Sequence, residues 1–539
     1  MKRPTRHPCD PGAPPPSARP REPYHAARVV AAGNNPLRPL TLVALTMLLA
    51  ACGGKQSTLE QAEVVSQPQA ARGSAAQLQT YESLPGVKAP VVSVTTQASD
   101  AAAPGYIFLT PRAPKPGVRM GPMILDSKGR IVWFHRLAPT RTSVDLQPDR
   151  IEGRQILTWS QRPPIRTPAD LYAGDPRTLY DVVADSSYRI SRRIRAVGHG
   201  VRTDLHDLVL TSKGTALVLG FRFVERDLRP YGGKQRQRVI DCLVQEVDLE
   251  TGKLLFNWSA IEHVPLGDAY PKPSPKGDWD YFHVNSVDED NDGNLIVSAR
   301  HTSAVYKIDR TNGRVIWTLG GKHSSLRIPD ALRFYYQHDA RRQKDGTLTI
   351  FDNHAAEFDK RGTESRVLRL RVDEKARTVS LVRAYKHPAK KLLATSQGSA
   401  RVLPNGNLFV GWGNAPSFSE FTEDGKLVFD ASLPTQAFQS YRAFKGDWSG
   451  KPGGRPALSA ARKGGKTIVD ASWNGKTDIA QWRILGGKAA VSLKPLAVGP
   501  WDGLETALRF SSRPAYVAVE ALDKSGKSLG KSDAIKPTG

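Results

Sequence analysis

Six times along the chain an acidic residue, a turn with glycine or serine, and an apolar strand that often ends in tryptophan follow one another. The copies read LDSKGRIVWF at Asp126, VADSSYRI at Asp185, VDLETGKLLFNW at Asp248, IDRTNGRVIW at Asp309, RVDEKARTVSLV at Asp373 and FTEDGKLVF at Asp424, 50 to 65 residues apart. A second pattern lies between them, a strand, a glycine turn and another apolar strand, as in LHDLVLTSKGTALVLG, FHVNSVDEDNDGNLIVSAR and GSARVLPNGNLFVGWG. Each period thus supplies two hairpins, enough for one four-stranded sheet. A strand-and-turn repeat of this length without helical periodicity predicts an all-β fold, a six-bladed β-propeller over 104–440.

The period breaks after that. KTIVDASWNGKTDIAQWRIL and RPAYVAVEALDKSGKSLGKS read as alternating strands with turns about every 8 to 12 residues, which predicts a small immunoglobulin-like β-sandwich over 441–539. Upstream, residues 52–103 are rich in Ala, Gln and Ser with little periodicity and read as a flexible tether. Before them LTLVALTMLLAA, Leu40–Ala51, has the length of a signal-peptide core and is too short to span a bilayer. It runs into Cys52, and LAAC resembles a bacterial lipobox. That resemblance implies cleavage before Cys52, lipidation of its thiol and anchoring on the periplasmic side of the outer membrane. The chain ahead of Leu40 is longer than such a leader needs, which places the expected start near Val29 or Val30.

Composition changes this picture little. An apolar share of 39% with 24% charged residues is that of a soluble globular protein. The formal charge of +25 is spread along the chain with no nucleic-acid signature, so it points to a basic surface attractive to small anions and not to nucleic acid. Of the three cysteines only Cys242 lies beyond Cys52. No intramolecular disulfide or thiol-rich metal site is then expected, and Cys242 reads as a core thiol.

Aligning the second pattern on its turn glycine superposes histidines. His206 and His338 stand eight residues before Gly214 and Gly346, and His283 ten before Gly293. Equivalent positions on successive blades point to equivalent places, so three histidines are expected at the mouth of the central channel, flanked by Asp145 and Ser399. Arg300 follows His283 by 17 residues across a hairpin turn and returns beside it. Asn285, two residues on, is expected on the same strand face as His283. His301 and His354 end strands near this set and are candidates for substrate binding. His135, His199, His263, His323 and His387 read as structural or solvated.

The turn DEDNDG places Asp288, Asp290 and Asp292 like the first ligands of a calcium loop, but its twelfth position is Ala299 instead of a bidentate glutamate. It reads as a polar hairpin turn with at most a weak cation site on the rim. An arginine among three histidines opposes a divalent metal and suits a tetrahedral oxyanion, and imidazole can carry a group covalently.

On these residues the chain resembles the bacterial arylsulfotransferase family. The segments that carry the resemblance are DLHDLVL, HVNSV followed by SARHTSAVYKIDRTNGRVIWTLGGK, and FYYQHDARRQKDGTLTIFDNH, and it spans roughly 105–430. The C-terminal sandwich resembles a domain appended in one branch of that family. The resemblance implies a six-bladed propeller that moves a sulfuryl group from an aryl sulfate to a phenol by a ping-pong route, without nucleotide, metal or other cofactor. It places the sulfohistidine at His338 and the supporting residues at His206, His283, Asn285 and Arg300. His283 and Arg300 would stabilise sulfuryl oxygens, Asn285 would orient the group, and His206 would serve as acid and base. A disulfide found near the site in some members cannot form here. The competing readings are a non-catalytic envelope scaffold, which leaves the aligned histidines unexplained, and a cofactor-dependent propeller oxidoreductase, for which no cofactor platform is visible.

Overall fold

The computed structural model describes residues 59–65, 78–112, 119–355, 363–435 and 438–539. The expected leader, 1–51, and Cys52 lie outside the described residues. Nearly all regular structure is β, with a single α-helical turn at Ala260–His263 among the described residues.

Six antiparallel sheets occupy the middle of the chain. Sheets two to six each begin with a new first strand: Thr142–Ile151, Arg202–Leu210, Val284–Glu289, His338–Arg342 and Ser399–Val402. Sheet one combines Tyr106–Arg112, Met123–Leu125 and Ile131–Phe134 with Gln439–Gly446, which returns from beyond sheet six to lie innermost. First strands of consecutive sheets pack side by side, and that of sheet six packs on the returning strand of sheet one.

Strand periodicity explains why the sheets stack. Successive residues point to opposite faces, and here both faces are buried. Leu217 and Leu219 of sheet three join Val297 and Tyr306 of sheet four, while Ala216 and Val218, on the other face, join Ile156 and Val183 of sheet two. Ile296 and Val305 meet Ile350 and Leu368 of sheet five. Similar clusters join sheets five and six, six and one, and one and two. A fully buried large apolar side chain contributes about 1.5–3 kcal/mol, against about 0–1 kcal/mol for an exposed ion pair, so these clusters dominate the adhesion of the sheets.

The six repeated acidic residues all fall at the end of the third strand of a sheet or in the turn that leads to the fourth. The cause is local. The Asp126 carboxylate accepts the Lys128 amide at 2.9 Å, Asp185 that of Ser187 at 2.8 Å, Asp309 that of Thr311 at 2.9 Å and Asp373 that of Ala376 at 2.8 Å. A carboxylate that bonds its own backbone two or three residues on makes the turn by itself. Gly293, at φ +84°, supplies the left-handed residue closing the DEDNDG hairpin.

At the centre a buried ionic network joins the first strands. Arg442 Nη1 bonds Asp145 at 3.0 Å and Asp207 at 2.9 Å. Arg341 bonds Asp207 at 2.5 Å and Asp339 at 2.9 Å, and Arg401 bonds Asp339 at 2.5 Å. Burial, with Asp207 and Asp339 adding, pushes the Asp145 carboxyl up to about 7 against the pull of Arg442.

Two sequence expectations need correction. The stretch 52–103, read as a tether, forms strands over its described residues. Glu60–Gln61 and Glu63–Val64 extend the two C-terminal sheets, Leu78–Thr80 pairs with Lys88–Pro90, and Ser93–Thr96 covers the outer edge of sheet six. Pairing with partners hundreds of residues away supplies the order that local composition lacks. The break at 441 is also too early, because 441–446 belong to the inner strand of sheet one and carry Tyr441 and Arg442 to the centre.

Beyond it two sheets share a core of Val469, Trp482, Ile484, Leu508 and Val519. One runs Glu63–Val64, Glu505–Phe510, Lys466–Ser472, Ala457–Lys463. The other runs Glu60–Gln61, Lys494–Pro500, Gln481–Gly487, Tyr516–Leu522, Ser528–Lys531. Cys242 is a buried free thiol in the core between sheets three and four.

Candidate active site

A cavity of about 600 Å³ opens where the first strands of sheets three, four and five meet, and His206, His283 and His338 all line it. The rings of His206 and His283 stand edge to face with centroids 4.8 Å apart. The DEDNDG hairpin returns the chain as its polar pattern predicts: the Arg300 amide donates to His283 O at 2.9 Å, and Arg300 and His301 line the same cavity. The Arg300 guanidinium stacks 4.1 Å over the Tyr336 ring and donates to Thr395 O at 3.2 Å.

The three histidines have different partners. His206 Nδ1 lies 2.5 Å from Asp204 Oδ1, which also accepts the His206 amide at 2.8 Å. Burial lowers the pKa of His206 below its usual value despite Asp204, so a neutral imidazole donates Nδ1–H to an ionised carboxylate. His283 Nδ1 lies 2.5 Å from Asp280 Oδ2, and Tyr172 donates its hydroxyl to the same oxygen at 2.5 Å. Burial works to raise Asp280, but His283 and His301 outweigh it and hold the carboxyl well below the usual range. His301 Nδ1 bonds the Asp280 carbonyl at 2.6 Å, and burial pulls its pKa down to about 3.

His338 is held by an amide. Its Nδ1 faces Asn353 Oδ1 at 2.7 Å and Tyr336 O at 3.1 Å. Asn353 Nδ2 donates to Ala394 O at 2.8 Å and Gln397 O at 2.9 Å, so the amide oxygen must face the ring. Nδ1 therefore carries the hydrogen and Nε2 the lone pair, which receives the Gln397 amide at 3.2 Å. Burial first, then the Arg300 charge, keeps the His338 pKa well below 6.5.

Two candidates fall elsewhere. Asn285 is fully buried behind the cavity, donating Nδ2 to Gln337 O at 2.7 Å. The expected alternation fails because His283 precedes the strand at φ +54° and the register shifts between Val284 and Ser286. His354 sits at φ +49°, stacked on Tyr335, and does not line the cavity. Of the flanking positions, Asp145 joins the central network and Ser399 donates to Ala443 O at 2.9 Å.

The carboxylates of the acidic turn have partners of their own. Lys307 Nζ already sits 2.9 Å from Asp290 and 2.7 Å from Asp292, Arg342 bonds Asp290 at 2.6 Å, and Asp288 accepts the Arg342 amide at 2.9 Å. Among the described residues Asp280, His283 and His301 form the one group whose potential ligand atoms lie within 4.8 Å of one another. The 2.5 Å contact between Asp280 and His283 is too short to admit a metal, whose tetrahedral ligands stand about 3 Å or more apart, unless both side chains move.

Sequence reasoning missed Asp204, Asp280, Asn353, Tyr172, Gln397, Tyr441 and Arg112. A carboxylate two or three residues before an aligned histidine is a readable signal in RTDLHDL and DYFHVN. Tyr172, Gln397, Tyr441 and Arg112 reach the cavity from other sheets and carry no local signal. Val144, Ile165, Leu171, Leu205 and Ile240 supply an apolar wall. The arrangement offers one neutral imidazole held by an amide, two carboxylate-backed imidazoles and two guanidinium groups beside an apolar wall.

No curated protein matches the chain. Among solved structures, a Bacteroides caccae protein of unknown function is 13% identical, covering 64% of this chain and 99% of its own, with TM-score 0.39. Virginiamycin B lyase from Staphylococcus aureus is 9% identical, covering 70% and 94%, with TM-score 0.32. Both likenesses are too weak to bear on activity. The arylsulfotransferase (ASST) family model matches residues 185–433, the span that holds His206, His283, Arg300 and His338.

Proposed function

We propose that this protein is a nucleotide-independent sulfotransferase that moves a sulfuryl group from an aryl sulfate to a phenol through a sulfohistidine at His338. The observation that carries the reading is the neutral His338, its Nδ1–H fixed by Asn353 and its Nε2 lone pair in a cavity lined by His206, His283 and Arg300.

In the first half-reaction Nε2 of His338 attacks sulfur. The N–S bond forms, the S–O bond to the aryl group breaks, and the phenolate leaves with the bond pair. Arg300 and His283 face the charge on the sulfuryl oxygens. His206 delivers a proton to a leaving phenolate that needs one. In the second half-reaction neutral His206 takes the acceptor's proton, the phenol oxygen attacks sulfur and the N–S bond breaks. The Gln397 amide must leave Nε2 as sulfur arrives. The six stacked sheets read as a six-bladed propeller and the C-terminal pair as an immunoglobulin-like sandwich. Lipid attachment at Cys52 and a periplasmic, outer-membrane address belong to the same proposal.

The direct test is incubation with 4-nitrophenyl sulfate and phenol, without nucleotide or metal. Release of 4-nitrophenol with matching phenyl sulfate is expected; no transfer across a broad panel of donors would favour the scaffold.

The depressed histidine pKa values set the pH profile. His338 must be neutral, and with its pKa well below 6.5 it is neutral throughout pH 6–8. The value of kcat/KM for 4-nitrophenyl sulfate, whose leaving group needs no proton, is therefore expected to stay flat over that range. For a donor with a more basic leaving phenol the protonated minority of His206 is required. That minority grows about tenfold per pH unit on acidification above its lowered pKa, so the rate rises as pH falls from 8 to 6. Identical profiles for the two donors would remove His206 as the acid.

A further inference from the structure

A chain of polar contacts runs from the nucleophile to a cation that the proposed chemistry does not use. The Gln397 amide donates to His338 Nε2, its side-chain Nε2 donates to Gln439 Oε1 at 3.2 Å, and Arg112 Nη2 donates to the same oxygen at 3.2 Å. Arg112 and Gln397 both line the cavity. Arg112 ends the second strand of sheet one, paired in register with Gln439 on the returning strand.

This guanidinium has no counter-charge among the described residues. No carboxylate lies within ion-pairing distance of it among the described residues, whereas Arg341, Arg401 and Arg442 nearby are all paired. Its Nε is buried with no hydrogen-bond partner among the described residues, and so is Gln397 Oε1. Burial alone lowers its pKa, without an acid to oppose it. Leaving a buried charged donor unsatisfied is costly, and such groups in a cavity mark where a ligand's polar atoms belong. Arg300, the other arginine of the cavity, lies beside His283 and over the ring of Tyr336, and the proposed reaction already uses it for the sulfuryl oxygens.

We propose that Arg112, backed by Gln439, forms a second anion subsite that selects aromatic substrates bearing a carboxylate or comparable anionic substituent besides the reacting oxygen. The inference rests on the sulfotransferase reading of the cavity. In a ping-pong cycle donor and acceptor rings occupy the same space in turn, so the preference applies to both. The apolar wall takes the ring, His206 meets its reacting oxygen, the sulfuryl group lies between that oxygen and His338 Nε2, and Arg112 meets the substituent. Gln397 Oε1 is left to accept from a hydroxyl on the same ring.

The test compares 4-hydroxybenzoate with its methyl ester as acceptors, at fixed 4-nitrophenyl sulfate. The wild-type protein is expected to favour the acid by about tenfold or more in kcat/KM at low salt, the scale of one charge-assisted hydrogen bond. Added salt shrinks that ratio. In Arg112→Met the ratio collapses toward one; Arg112→Lys, which keeps charge but loses the fork, falls between. A wild-type preference for the ester, or an unchanged ratio in Arg112→Met, overturns the subsite while leaving sulfuryl transfer intact. If Arg112→Met does not fold, the wild-type ratio decides alone. If neither acceptor is sulfated, the sulfotransferase reading fails, and calorimetric binding of 4-hydroxybenzoate against its ester still decides whether the subsite exists.

Discussion

The His338→Asn protein is expected to release 4-nitrophenol at no more than about one-thousandth of the wild-type rate, as befits loss of a covalent nucleophile. Asparagine keeps a polar group near the Nδ1 position, where Asn353 and Tyr336 O wait, so the pocket retains its shape. It removes Nε2, the atom proposed to form the N–S bond. Mass spectrometry of wild-type protein quenched with donor and no acceptor is expected to show one added sulfuryl group on the peptide carrying His338. The variant is expected to show none. Full turnover by the variant would move the nucleophile elsewhere, and His206 or His283 would be next in line.

Arg442→Met is expected to destabilise the fold by about 3 kcal/mol or more, the scale for removing one partner of a buried ion pair. Arg442 is completely buried, bonds Asp145 and Asp207, and donates Nη2 to Asn285 O at 2.8 Å. Asp207 keeps Arg341, but Asp145 loses the cation that restrains its pKa. That sets the sign with pH. The Asp145 carboxyl, already pushed up to about 7, rises further in the variant. A raised folded pKa contributes stability that is lost as pH rises through it, so the deficit is larger at pH 8 than at pH 6. Urea denaturation at the two pH values measures both effects. A loss under about 1 kcal/mol at both would mean that the apolar clusters alone hold the centre together.

The two variants also show which parts of the site are readable from sequence. His338 is legible because its strand repeats: His206, His283 and His338 hold equivalent places in successive sheets, and repetition turns spacing into position. Asn285 is illegible by the same rule. Strand alternation puts it beside His283, and a left-handed residue with a register shift turns it away. Arg442 lies just past the point where the period stops, where only the returning strand shows that it belongs to sheet one. The carboxylates behind His206 and His283 are close in sequence, whereas Asn353, which fixes the tautomer of His338, sits one strand away.

By itself the sequence determined what depends on short-range chemistry. Aspartates that bond their own turns mark six hairpins, alternating apolar residues make strands that bury both faces, and a repeated strand carries histidines to one place. The tertiary structure alone decided what depends on pairing across long separations. It drew 60–64 and 93–96 into distant sheets, returned 439–446 to sheet one with Arg442 and Tyr441, and set Arg112 beside Gln439. Those contacts arise when strands far apart in the chain satisfy each other's backbone and buried charges, and neither partner's own segment records the other.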